Sequence, residues 1–289
     1  MNYPIIDSHC HVYPDKIASK AVEGIGKFYD LSMYYDGKYS TLVEFGSEIG
    51  VKHYVIFSVA TTPHQVHSIN TFIAETVRSS DGLVTGLGAL HPDSETIEED
   101  IEEIIASNKN SVVLIDEAYI DFGGTSCYEL IRKYDNLIVC RTFSKAYSLA
   151  GARLGYCFAN EELIKDLEKI KYSTNPYNIN RLTQKAGVAA MAENDYYMTN
   201  CKKIADTRQY TAEELSLLGF EVLSSKANFI FAKHESISGA DIYTLLRERG
   251  ILVRHFTDER IKDYNRITIG SREEMEALVK AMKEIVKGV

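Results

Sequence analysis

Apolar positions along the first hundred residues alternate between short runs and helical stripes. Pro4-Ile5-Ile6-Asp7 reads as a short buried strand and His53–Ser58 as a second. Leu83–Leu90 reads as a third, ending at His91-Pro92-Asp93. Between them lie helical patterns: a weak one over 16–28, thinned by Gly24 and Gly26, a better one at Leu42–Ile49, and a third over 65–79. A helix follows at Ser94–Ser107, with Ser94 as N-cap and the acidic run Glu95–Glu103 toward the positive end of the helix dipole. Residues 1–105 therefore read as three successive β/α units.

The pattern then changes. Val112-Val113-Leu114-Ile115 and Leu137-Ile138-Val139 have the length and β-branched content of buried strands. Helices are predicted at Glu161–Lys171, Arg181–Glu193 and Met198–Leu218, the last closing on Gly219. Strands at Glu221–Leu223, Asn228–Ala232, Ile251–Arg254 and Arg266–Ile269 mix with helices at Gly239–Arg249 and Arg272–Val286, an α+β cap of common domain size. The fold class is α/β, in three segments: β/α units over 1–105, a partial parallel-sheet domain over 106–180 and the cap over 181–289.

Composition narrows the class. The 289 residues are 45% hydrophobic with a formal net charge of −9, as a soluble globular chain would be. The acidic balance gives no support for a nucleic-acid partner. No apolar run approaches a membrane span, and the N-terminus lacks a basic region with an apolar signal core. Five cysteines, at 10, 127, 140, 157 and 201, form no CxxC pair and read as reduced thiols in a cytoplasm.

Chemistry concentrates in residues 141–156, RTFSKAYSLAGARLGY. Thr142, Ser144 and Ser148 surround Lys145, and Ala150-Gly151-Ala152 runs straight into Arg153. Hydroxyls, turn N–H groups and an arginine suit a phosphate. A lysine flanked by that arginine and partly dehydrated could act as an imine-forming amine. Alone, the segment also fits a strand, a polar loop and a surface lysine. Upstream, Asp116 closes a predicted parallel strand, on the edge where α/β sheets bind ligands. A ring-nitrogen carboxylate, an amine and phosphate ligands are what pyridoxal phosphate requires, and 116–153 holds all three.

Asp116-Glu117-Ala118-Tyr119, Arg141-Thr142-Phe143-Ser144-Lys145 and Ala150-Gly151-Ala152-Arg153-Leu154-Gly155 together resemble the fold-type I aminotransferases, most of all the histidinol-phosphate aminotransferases. The resemblance runs from about Ile104 to the C-terminus. It implies a transferase of histidine biosynthesis that exchanges an amino group between an amino-phosphate and a keto acid, 2-oxoglutarate. Lys145 would bond the cofactor, Asp116 would pair with its ring nitrogen and Tyr119 would touch its phenolic oxygen. Thr142, Ser144 and Arg153 would bind its phosphate, and Arg266 would take the substrate α-carboxylate. Arg254 offers a second anion contact. The family works as a homodimer, and its long N-terminal half supplies further cofactor contacts that cannot be matched here.

The opening segment carries a different signature. Asp7-Ser8-His9-Cys10-His11 places two histidines on one side of an extended segment, with Asp7 on the same side by alternation. It resembles the first strand of a metal-dependent amidohydrolase or decarboxylase of the (β/α)₈-barrel type. That resemblance implies a divalent metal such as zinc at His9 and His11; the residues alone equally admit a turn with two incidental histidines. With Val112–Ile115 as a candidate fourth barrel strand, the chain reads as a chimera joined within Ile97–Asn110.

Overall fold

The structure, a computed structural model, describes residues 4–29, 31–91 and 94–288. Pro92 and Asp93, at the predicted end of the third strand, lie outside the described residues. The chain divides into two compact units, residues 1–109 and 110–289.

In the first unit, β1 (Ile5–His11), α1 (Asp15–Tyr29), α2 (Tyr39–Glu48), β2 (Val51–Phe57), α3 (Val66–Ser79), β3 (Val84–Gly86) and α4 (Ile97–Ser107) follow in turn. The strands form a parallel sheet in the order β1-β2-β3. Its core gathers Val12, Tyr54, Ile56, Ile73 and Val84. Three expectations change here. The start of β1 is exposed, with Ile5 at 45% and Ile6 at 59%; among the described residues it is an edge strand, paired with β2 alone. The third strand shrinks to three residues, since Gly86 and Gly88 interrupt the run with little to pack. Ser94 does not cap α4. The helix starts three residues later, and the Ser94 hydroxyl donates instead to Asp100 at 2.7 Å.

The second unit opens with β4 (Val113–Asp116), β5 (Leu137–Thr142) and β6 (Gly155–Ala159). β4 pairs with β5 in parallel and β6 returns antiparallel, in the order β4-β5-β6. β4 is thus no fourth strand of the N-terminal sheet. Nor is it buried on both faces: Leu114 is 57% exposed, whereas Leu137 and Val139 on the central strand are at 0%. The β4–β5 connection holds 3₁₀ turns at Ile120–Phe122 and Tyr128–Arg132. Gly123, at φ +116°, stops the first turn in a conformation that other residues rarely adopt.

Helices α5 (Glu161–Thr174), α6 (Arg181–Ala192) and α7 (Asn194–Leu217) come next. Asn160 and Asn180 cap the first two by accepting from the N–H groups of Leu163 and Thr183. Then follow β7 (Phe220–Val222), β8 (Phe229–His234), α8 (Gly239–Glu248), β9 (Arg254–His255), β10 (Asn265–Thr268) and α9 (Arg272–Lys287). The strands pair in the order β7-β8-β10-β9, antiparallel throughout. The predicted strand at Ile251–Arg254 forms only at its end, where β9 meets β10. A Ser271–Glu274 capping box starts α9, whose Met275, Leu278, Met282 and Ile285 recur at helical spacing. These join Leu215, Ile230, Ile242, Leu246 and Ile267 in the largest core of the unit.

Candidate active site

Neighbouring residues on a strand point to opposite faces of its sheet, so β4, β5 and β6 present two different chemistries. Asp116 is in register with Cys140, and Cys140 with Cys157. These share one face with Thr142. Glu117 and Arg141 lie on the other.

On that second face a buried knot ties the strand ends together. Arg141 Nε donates to Glu117 Oε2 at 3.0 Å, and Nη2 forms an ion pair with the same oxygen at 3.0 Å. Ser126 Oγ lies 2.8 and 3.0 Å from the two Glu117 oxygens and accepts from Arg141 Nη2 at 2.8 Å. The Cys127 N–H donates to Glu117 Oε1 at 2.6 Å. Glu117 is only 5% exposed. Asp121 completes the surroundings, 3.9 Å from Arg141 Nη1. Burial raises its carboxyl above the usual 3.8, Arg141 opposes that shift and Glu117 adds to it. A carboxyl raised on folding holds its proton more tightly in the native state. Stability therefore falls as pH rises from the unfolded value through the raised folded one. Asp121→Asn is expected to remove that slope in denaturation curves taken across this window; an unchanged slope would mean another group is responsible.

The segment after β5 alternates anchors and outward groups. Phe143, Ala146 and Tyr147 are buried, and Tyr147 donates its hydroxyl to Asn194 Oδ1 at 2.8 Å. Lys145 and Ser148 between them are exposed. The Phe143 N–H donates to Leu154 O and the Leu149 N–H to Phe143 O, folding the loop back on its stem. Thr142 Oγ1 accepts from the Ser144 N–H at 3.0 Å. Ser148 and Arg153 both have positive φ, +56° and +53°, without being glycine. Such backbone strain concentrates where a structure serves function. Arg153 Nη1 donates to Ala150 O at 3.1 Å.

One line of side chains joins this loop to the C-terminal sheet. Lys145 Nζ stands 5.0 Å from the Tyr119 ring centre. Tyr119 meets Phe229 of β8 edge to face at 5.7 Å, and Arg266 Cζ of β10 lies 5.3 Å from the Phe229 ring centre. Arg266 is in register with Arg254, so two like charges face each other across strands, an unfavourable pairing without an anion. Asp116 accepts the Ala118 N–H on Oδ1 at 2.9 Å. Among the described residues neither Asp116 nor Lys145 has a charged partner. The structure thus brings Asp116, Tyr119, Thr142, Ser144, Lys145, Arg153 and Arg266 into one unit. Phe229 and the Glu117 knot escaped the sequence reading; the one legible signal was that Glu117 and Arg141 lie within the quoted motifs.

At the other end of the chain, the His9 and His11 rings lie 5.1 Å apart, each against Phe57. Burial, then His9, lowers the His11 pKa. Asp7 does not join them, because the register of β1 on β2 slips between Asp7 and Cys10 and breaks the alternation. Its Oδ1 accepts the His9 N–H instead. Among the described residues, no group of three or more His, Cys, Asp or Glu could hold a metal ion.

Residues 96–282 match the family model described as aminotransferase class I and II. The chain is 50% identical over 188 residues to histidinol-phosphate aminotransferase of Brachyspira hyodysenteriae, covering 65% of this chain and 53% of that protein. It is 47% identical over 189 residues to the enzyme of the same name from Lactococcus lactis subsp. cremoris, with the same coverage. The chain spans about half the length of the curated relatives it matches. Among solved structures, histidinol-phosphate aminotransferase from Clostridium acetobutylicum superposes with a TM-score of 0.60 at 21% identity, over 98% of this chain and 79% of that one. The Sinorhizobium meliloti structure, a complex with pyridoxal-5'-phosphate, gives 0.58 at 20%, over 99% and 72%. These likenesses show the mixed α/β fold alone.

Proposed function

We propose that this chain, which belongs to the aminotransferase class I and II family, binds pyridoxal phosphate at Lys145 and carries the cofactor-holding part of a transaminase. The line Lys145–Tyr119–Phe229–Arg266 carries the reading, since it sets an amine and a carboxylate-binding cation on opposite sides of one aromatic pair. The residues fit the cofactor. Lys145 is an exposed amine with no ion-paired carboxylate among the described residues. Asp116 keeps one oxygen free for a ring N–H. Thr142, Ser144 and the left-handed Arg153 offer hydroxyls and a cation to a phosphate.

When bound, the cofactor supplies an electron sink for a carbanion at the substrate α-carbon. Asp116 holds the proton on the ring nitrogen. Lys145 takes the α-proton and returns it, as general base and acid. Tyr119 orients the phenolic oxygen and Arg266 grips the α-carboxylate. The substrate is an amino-phosphate such as histidinol phosphate, and 2-oxoglutarate receives its amino group in histidine biosynthesis. Residues 106–180 form the cofactor segment and 181–289 the cap. The enzyme acts in the cytoplasm as a homodimer. Among the described residues no helix is long and apolar enough to cross a membrane.

The test begins with pyridoxal phosphate added to the purified chain, an absorption spectrum, borohydride reduction and peptide mapping. A single reduced adduct on Lys145 is expected. Adducts spread over exposed lysines, with none enriched at 145, would defeat the reading. Transfer from histidinol phosphate to 2-oxoglutarate is then measured on the same preparation.

A further inference from the structure

The hairpin stem that carries the Lys145 loop has a cysteine on each strand. Cys140 of β5 and Cys157 of β6 are register partners. Their hydrogen-bonding status follows from the next pairs along. The Phe143 N–H donates to Leu154 O, so 143/154 is a hydrogen-bonded pair. Such pairs alternate with non-hydrogen-bonded ones along an antiparallel ladder. Counting back, 141/156 is hydrogen-bonded and 140/157 is not. Residues at a non-hydrogen-bonded site stand about 4.5 Å apart at Cα, with their side chains closest. That lies within the span of roughly 4.4–6.8 Å bridged by disulfides.

Two further observations agree. Both cysteines are half-buried rather than sealed, so a small oxidant reaches them. The field of Cys157 is felt at Cys140, as close register partners require; burial, the larger cause, pushes the Cys140 thiol up and slows formation of its thiolate. The other thiols are placed differently. Cys10 belongs to the first unit, and Cys201 is buried in the core with Phe122 and Tyr147.

We propose that Cys140 and Cys157 are a site of reversible covalent modification, closing to a cross-strand disulfide on exposure to a hydroperoxide. One thiolate attacks the peroxide oxygen, breaking the O–O bond, and becomes a sulfenic acid as the first water or alcohol leaves. The second thiolate attacks that sulfur; the S–S bond forms, the S–O bond breaks and a second water leaves. Two thiols lose two electrons and two protons, and the peroxide gains them. The bond closes the neck of segment 141–156, which holds Thr142, Ser144, Lys145 and Arg153. The site stands on strand register and does not depend on what the loop binds.

The test treats the reduced 289-residue chain with hydrogen peroxide, alkylates the remaining thiols and maps the digest without reductant. A peptide pair joined through 140 and 157, two hydrogens lighter than its parts and released by dithiothreitol, is expected. Oxidation should also raise the thermal midpoint of the wild-type chain reversibly, a gain lost in Cys140→Ser and Cys157→Ser. Full alkylation of both residues after oxidation, or pairing of either with Cys127 in preference, would overturn the proposal. The wild-type map decides the matter even where a serine variant folds poorly.

Discussion

Arg141→Met is expected to cost the chain about 3–5 kcal/mol of stability, measured by urea denaturation. The size comes from what the change leaves behind. Glu117 has a side chain 3% exposed, and both Arg141 contacts with it vanish together. Ser126 and the Cys127 N–H remain, but hydrogen bonds alone do not neutralise a buried carboxylate. Glu117→Gln alone should cost less, because it leaves the guanidinium facing Asp121 and a neutral amide in place of the lost charge. The double variant should recover part of the Arg141→Met loss, since removing both members spares the orphaned charge. A loss under about 1 kcal/mol for Arg141→Met would place the pair among ordinary surface ion pairs, despite its burial.

Lys145→Ala is expected to abolish the borohydride-stable adduct while leaving the fold intact. The side chain is exposed, and its described contact is the Tyr119 ring. A cation–π pair at such a site contributes about 0.5–1 kcal/mol, so the circular dichroism spectrum and thermal midpoint should move little. The buried neighbours that shape the loop, Phe143, Ala146 and Tyr147, are untouched. Cofactor would still be held through its phosphate at Thr142, Ser144 and Arg153, giving a free-aldehyde spectrum in place of the lysine-bound band. An undiminished adduct in this variant would show that another lysine bonds the cofactor.

The parts of this molecule that could be read from its residues are those where local rules act alone. Helix α9 announces itself by Ser271, Glu274 and a strict apolar stripe, and it forms as read. The Lys145 segment was legible as a polar loop after a strand because hydroxyls cluster around Lys145 and small residues lead into Arg153; its buried anchors Phe143, Ala146 and Tyr147 were not read. Strand β6 was missed: Gly155-Tyr156-Cys157-Phe158-Ala159 has no strong alternation, and it is a strand because β5 offers it a ladder. The Glu117 knot was missed for a related reason. Its members lie at 117, 126, 127 and 141, and only the parallel pairing of β4 with β5 brings them together. His9 and His11 do share a side, with rings 5.1 Å apart, but the register slip after Asp7 takes Asp7 away from them and no third ligand joins among the described residues.

The largest core of the second unit contains neither Lys145 nor Arg153. Leu215, Ile242, Leu246 and Met282 are at 0% exposure around the antiparallel sheet, whereas the Lys145 segment is held by turns and a 3₁₀ piece at its rim. Amides beneath α8 and α9 are therefore expected to exchange only when the whole unit unfolds, and those between Lys145 and Arg153 through small local openings. The chemical loop can therefore breathe around a ligand without drawing on the cooperativity of the scaffold behind it.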